Sequence, residues 1–284
     1  MRRSPRTFLS TGGLLLGVFI GLGSMAPAPA RAQGSPSLAR LTLVEQQVEQ
    51  KDAAAAWRQA VEGQPLRIGE QLRTGPAGLA RLEMPWMSLT VSPGSAVSFP
   101  DEFILSAVLE SGRAVVDSKA RDALKVVTSE ARVRGTGRAV VRREDARTLV
   151  SCLGGRFLVE GSGQGVWLES GYGTVVGSGA GPSAPRRTPE PPVAGSLLPG
   201  PDPVYAKPGE TVELQWKGDA PAFQVEILPV GSEQVLIQRD VGSPPARIPI
   251  PWSGAFRWRV ASRDARGLEG RPPSDGQIAV ELRE

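Results

Sequence analysis

Two adjacent acid pairs, Asp101-Glu102 and Glu144-Asp145, are the residues of this sequence best suited by type to proton transfer or glycosidic chemistry, which needs two carboxylates facing one bond. Both pairs fall in stretches that read as turns, where solvated charge is the ordinary role. The 284 residues include no His, which removes the commonest general base, the commonest transition-metal ligand and the usual partner of a Ser or Cys nucleophile. Cys152 is the one cysteine, so no disulfide forms within the chain, no thiolate cage exists, and the residue reads as a small buried hydrophobe. The patterns G-x-S-x-G, S-x-x-K, H-E-x-x-H and an Asp-rich calcium loop are all missing. Arg134-Gly135-Thr136-Gly137-Arg138 has glycines that could cradle a phosphate, but it lacks a third Gly and a following Lys. It reads instead as a strand with a glycine bulge. The expectation is a protein that is not an enzyme and has no metal, no cofactor and no catalytic residue.

Binding is the remaining chemistry. Trp86 stands between Pro85 and Met87 at an expected hairpin tip, and Trp252 stands between Pro251 and Ser253-Gly254. Each is a candidate binding anchor if exposed and a core residue if buried.

The formal charge of +4 hints at an acidic partner until its location is considered. Residues 1–32 carry Arg2, Arg3 and Arg6, an apolar run from Phe8 to Leu22, and the A-x-A site Ala30-Arg31-Ala32, the three parts of a secretory signal peptide. The run is short and contains Gly12, Gly13, Gly17 and Gly21, whereas a spanning helix needs about 20 apolar residues, so a retained anchor is the lesser alternative. Phe8-Leu9 lies too far from Arg2-Arg3 for a twin-arginine signal, and no Cys marks a lipoprotein site. Cleavage near Ala32 would remove four of 33 basic residues and none of 29 acidic ones, leaving 29 of each. A neutral mature chain, periplasmic or secreted, has no compositional reason to bind nucleic acid.

The elements that must position these residues are strands. Period-2 alternation runs through Leu79–Met84, Ser88–Val91, Ala114–Val116, Leu124–Thr128, Arg138–Val141, Leu149–Leu153, Arg156–Glu160 and Val166–Glu169. Turns are expected at Pro93-Gly94-Ser95, Glu110-Ser111-Gly112, Arg142–Asp145 and Gly161-Ser162-Gly163. Glu45–Glu62 has helical propensity in its alanines Ala53–Ala56 but is read as strand, loop, strand. A Gly/Pro-rich tract at 177–205 reads as an exposed, semi-rigid linker. Beyond it, residues 206–284 hold six strands: Thr211–Trp216, Ala222–Ile227, Gln234–Arg239, Ala246–Ile250, Phe256–Ala261 and Gln277–Leu282. Phe256, Trp258 and Val260 share one face and Arg257 and Arg259 the other, as in a β-sandwich wall.

Several motifs occur in an order that resembles the FecR domain, an exported β-rich module. Trp57 precedes Gly63-Gln-Pro-Leu66-Arg-Ile-Gly69-Glu70-Gln-Leu72-Arg73-Thr74-Gly75. Leu109-Glu-Ser-Gly112-Arg-Ala-Val115, then Val126-Val-Thr128 with Val133-Arg134-Gly135-Thr136, then Gly155–Val159 and Leu168–Gly171 complete the pattern. Glu70 replaces the usual Asp, Met84–Met87 replaces a tight Asp-Gly turn, and Gly137 replaces a bulky residue. Within the motifs, Gly69 and Gly75 read as turn formers, and Arg134 as an outward residue pairing with Glu70 or Asp117. Trp57, Gly69, Arg73, Thr74, Gly75, Arg134, Gly135 and Thr136 are thus read as structural. Gly254–Gly270 with Trp216 resembles a fibronectin type III domain, with Phe256 where a Tyr is usual.

The resemblances imply an all-β chain: signal peptide 1–32, FecR-like domain 33–176, linker 177–205, and fibronectin type III-like β-sandwich 206–284. They imply a non-catalytic protein-binding or ligand-sensing module of the cell envelope. The alternative is a cell-wall or polysaccharide binder stacking sugars on Trp86 and Trp252. The expected partner is an envelope protein or a cell-wall glycan. In the best-known FecR proteins the domain passes a signal toward a cytoplasmic sigma factor, which needs a cytoplasmic segment. Only seven residues precede the apolar run here, so no sigma factor is expected.

Overall fold

The computed structural model describes residues 37–52, 55–100, 106–120, 124–193, 203–272 and 275–283. The segment read as a signal peptide and the pair Asp101-Glu102 lie outside these. The described residues form strands, turns and loops with no helix, so the chain is all-β.

Fifteen strands between residues 37 and 187 share one sheet system. They are β1 (Ser37–Glu45), β2 (Val48–Lys51), β3 (Arg58–Gln59), β4 (Pro65–Arg67), β5 (Gln71–Thr74), β6 (Leu79–Met84), β7 (Met87–Val91) and β8 (Ala96–Ser98). These are followed by β9 (Ala107–Ser118), β10 (Leu124–Val127), β11 (Arg132–Glu144), β12 (Arg147–Gly161), β13 (Gln164–Glu169), β14 (Tyr172–Gly177) and β15 (Arg186–Arg187). The main path runs β15-β14-β12-β11-β10-β9-β7-β6-β1-β4, with β9 also pairing β11 directly and β13 pairing β12. Inward residues such as Leu41, Leu82, Leu89, Val116, Val133 and Phe157 make one core, joined by Cys152.

Several expected boundaries shift for local reasons. Glu110-Ser111-Gly112 is not a turn but lies inside β9, where Gly112 takes φ 85° and the register with β8 slips, so the strand bulges and continues. The turn expected over Arg142–Asp145 contracts to Asp145-Ala146, both at positive φ, which suits a two-residue hairpin. Leu149–Leu153 and Arg156–Glu160 are one strand, β12. Opposite its Gly154-Gly155, a Cβ on Gly137 would stand 2.1 Å from the Gly154 carbonyl oxygen, so glycine there lets β11 and β12 meet. β1 was not among the expected strands, yet it pairs with both β4 and β6.

The C-terminal strands are β16 (Pro203–Ala206), β17 (Thr211–Leu214), β18 (Ala222–Pro229), β19 (Ile237–Val241), β20 (Ala246–Pro249), β21 (Gly254–Arg263) and β22 (Gly276–Leu282). They form a sheet in the order β16-β22-β21-β18-β19 and a pair β17-β20. Between them Trp216 packs edge-on to Phe223 and Trp258 at 5.3 and 6.3 Å between ring centroids, a geometry that aromatic quadrupoles favour. Much of the proline-rich tract is held rather than free. Val176 bridges Pro182, β15 pairs β14, and the Val193 amide donates to the Lys217 carbonyl at 2.7 Å.

Candidate functional site

The face of β18 and β21 opposite the tryptophans is covered, and what covers it is the first sheet system. Glu226 on β18 stands directly across from Arg259 on β21 and Gln238 on β19. Arg259 Nε donates to Glu226 Oε2 at 2.6 Å and Gln238 Nε2 to Oε1 at 3.0 Å, and all three residues are buried. Val115, Val140 and Leu153, from β9, β11 and β12, make a small apolar patch on the facing surface.

Arg113, beside the β9 bulge, crosses the seam. Its Nε and Nη2 donate to the two Glu269 oxygens at 2.9 and 2.5 Å, its Nη1 donates to Ser92 Oγ at 2.9 Å, and it approaches Glu226 to 3.9 Å. This bidentate pair is 6% and 4% exposed, a burial that charged groups tolerate only when paired. Glu269 is delivered by the loop Asp264–Gly270. Asp264 Oδ1 accepts the Arg266 and Leu268 amides at 2.9 and 2.8 Å, shaping the loop. Leu268 is buried so close to β14 that a Cβ on Gly173 would lie 2.9 Å from it, and the Glu269 amide donates to Ser151 Oγ at 2.9 Å. A second clasp joins Asp240 to Arg142 at 3.3 Å and Arg263 at 2.7 Å. Leu43 and Leu79 add an apolar contact with Leu228 and Val235.

These charges shape one another. Burial alone would raise the Glu226 carboxyl, but Arg259, Arg113 and Arg138 overcome it and hold the group below the usual carboxylate range. Asp240 is held low in the same way by Arg142 and Arg263 against its own burial. Burial would lower the Arg113 guanidinium, and Glu269 and then Glu226 reverse that, leaving it above its ordinary value.

Within the seam lies a cavity of about 320 Å³. Arg113, Arg138, Arg259 and Arg271 line it with Glu226, Glu269 and Asp275, and Val115, Leu153, Ala261 and Pro272 supply apolar wall.

The residues singled out in the sequence lie elsewhere. Trp86 forms the β6-β7 turn and is half-buried on the first core; Trp252 is half-buried on the second. Trp57 sits between cations, with Arg73 Cζ 4.2 Å and Lys51 Nζ 4.9 Å from its ring, and Arg73 Nε also donates to Glu49 at 2.7 Å. Thr74 Oγ1 donates to the Ser92 carbonyl at 2.6 Å and accepts the Ser95 amide at 2.9 Å, while the Gly69 and Gly75 amides bond to Phe99 and Gln47. Gly135 accepts from Ser118 Oγ at 2.8 Å, and Thr136 pairs with Arg156 across the β11-β12 ladder. Arg134 pairs with neither Glu70 nor Asp117 but with Glu160 at 2.6 Å, its diagonal neighbour across the β11-β12 ladder, opposite Arg132. Glu70 is occupied by Gln50 and the Arg67 amide, and Asp117 faces Arg138 at 3.8 Å. Burial pushes the Cys152 thiol up to about 11.

The exposed tryptophan is one the sequence reading passed over. Trp167 on β13 is 49% exposed, with Arg156 Cζ 4.3 Å from its ring. Its signal was the alternation Val166-Trp-Leu168, which sets Trp167 opposite the buried Leu168. Among the described residues β13 pairs with β12 alone and its other edge has no strand partner.

No family model matches this sequence, and no curated protein matches it. Two crystal structures of a proposed anti-sigma factor from Parabacteroides distasonis are similar to it, each with 20% identity over 41% of this chain and 59% of that protein, at a TM-score of 0.35. The chain therefore spans about three fifths of the length of those structures. The expectation that no sigma factor would be a partner is corrected here, since it stands against the name of these structures, a proposed anti-sigma factor. That exclusion rested on the seven residues before the apolar run, which lie outside the described residues.

Proposed function

We propose that this protein is an exported, non-catalytic module of the cell envelope, of the FecR kind, that acts by binding an extended segment of a partner protein along β13. The observation that supports this reading is the β13 edge that has no strand partner among the described residues, with Trp167 beside it. An unpaired edge offers a row of backbone donors and acceptors for an added strand, and a half-exposed tryptophan supplies contact area. Residues 164–169 include only one charged side chain, Glu169, so little on this edge opposes pairing. The absence of His and of catalytic motifs agrees with a binding role.

A photo-crosslinking residue placed at Trp167 in cells, compared with one at the more exposed Val61, tests the reading. A discrete adduct at position 167 that is missing at 61, found in an envelope fraction, is expected. No adduct, or the same adducts at both positions, would rule β13 out.

The cell-wall reading moves from Trp86 and Trp252 to Trp167, whose ring is the more exposed. Sedimentation with peptidoglycan that falls severalfold on Trp167→Ala would favour sugar stacking over strand addition.

A further inference from the structure

The seam cavity holds more guanidinium than it uses. Of its three carboxylates, Glu226 is taken by Arg259, Glu269 by Arg113, and Asp275 by Arg257 at 2.5 Å. Arg113 has donors on all three nitrogens committed. Arg259, more than nine-tenths buried, donates through Nε and Nη1, while its Nη2 has no partner. Among the described residues Arg138 approaches Asp117 at 3.8 Å and lends its charge to Glu226 without a closer ion pair, and Arg271 has no ion pair. An unpartnered buried N–H is costly unless something else accepts from it.

We infer that this cavity binds a small organic monoanion, a carboxylate with a short apolar body, its oxygens between Arg138, Arg271 and Arg259 and its body against Val115 and Leu153. Three observations support this. Counted over the lining residues alone, four arginines face three carboxylates, one excess positive charge that a monoanion matches, with Asp117 and Glu233 reaching Arg138 and Arg259 from outside the lining, while a dianion would face Glu226, Glu269 and Asp275. The guanidinium fork suits the planar carboxylate. The volume, about 320 Å³, is at the lower end of ligand pockets, and buried Val115 and Leu153 give it an apolar side. The site lies in the seam rather than on β13, so it stands or falls independently of the proposed strand addition.

Isothermal titration of the purified full chain with sodium benzoate and sodium butyrate, at constant ionic strength, tests this against benzamide, butyramide and inorganic phosphate. One carboxylate should bind with one-to-one stoichiometry and at least tenfold more tightly than its amide. The double substitution Arg138→Gln with Arg271→Gln should weaken that binding at least tenfold. Should that variant misfold, Ala261→Leu replaces it: Ala261 lines the cavity on the same β21 face as Arg259, so the larger side chain fills part of the cavity without removing a charge. Loss of binding in the filled variant supports the site. No carboxylate binding, tighter binding of phosphate, or carboxylate binding that survives in the filled variant would each overturn it.

Discussion

One face of the β18-β21 sheet carries Phe223, Val225, Ile227, Trp258 and Val260, and the other carries Gln224, Glu226, Gln238, Arg259 and Asp240, yet nearly all of these residues are buried. The first face is covered by β17 and β20, whose Val212, Leu214 and Ile248 meet it without polar atoms. The second is covered by β9, β11 and β12, and meets them through Arg113, Arg142 and the Asp264–Gly270 loop. Equal burial is thus reached with opposite chemistry. Apolar contact is undirected and stabilises roughly with area, whereas a buried ion pair gains little net energy over apolar residues of the same shape but tolerates few arrangements. The apolar face therefore holds the sandwich together, and the ionic face fixes how the sandwich sits on the first sheet system.

Four experiments probe that contrast, from the largest expected effect to the smallest. Trp258→Ala empties a fully buried site beside Trp216 and should cost about 3–5 kcal/mol, read from the denaturant midpoint. Glu226→Gln leaves Arg259 buried beside a neutral group and should cost about 3 kcal/mol. Replacing both, as Glu226→Leu with Arg259→Met, should restore stability to within about 1 kcal/mol of the parent or better; a double variant as unstable as Glu226→Gln would show that the ionic face contributes net stability.

Acid titration is the third test. Glu226 and Asp240 have native values held below their unfolded ones, so the stability they supply is complete above the ordinary carboxylate range and is lost as pH falls through the native values. The parent should lose stability below about pH 4.5 more steeply than the Leu/Met double variant, and parallel curves would assign the acid loss to other carboxylates. Last, Arg247→Ala breaks an exposed pair with Glu213 on the β17-β20 sheet, whose side chains are 75% and 40% exposed, and should change stability by under about 1 kcal/mol. A larger loss would mean that surface pairs matter here as much as the seam.

The strands were largely legible because alternation has a local cause: successive side chains of a strand point to opposite sides. Leu79–Met84 matches β6 at both ends, and Phe256, Trp258 and Val260 do share a buried face. Legibility failed where glycine allows a strand to bend without ending, as at Gly112 and Gly154-Gly155, since glycine is also the ordinary mark of a turn. The candidate site was not legible. Arg113 and Glu269 are 156 positions apart, and neither has a local pattern that distinguishes it from a solvated charge. Trp86 and Trp252 stand in turns, which left open whether they are exposed, and their rings pack partly onto the two cores, while Trp167 in a strand is an exposed one.

By itself the sequence determined the all-β class, the approximate strand ends, the apolar side of each strand and the missing histidine chemistry, because each depends on neighbours within a few residues. Only the tertiary structure decided what the polar sides face. Alternation says that Arg257 and Arg259 point away from Trp258, but whether that direction holds water or Glu226, Glu269 and a cavity depends on how one sheet docks on another, which no local pattern encodes.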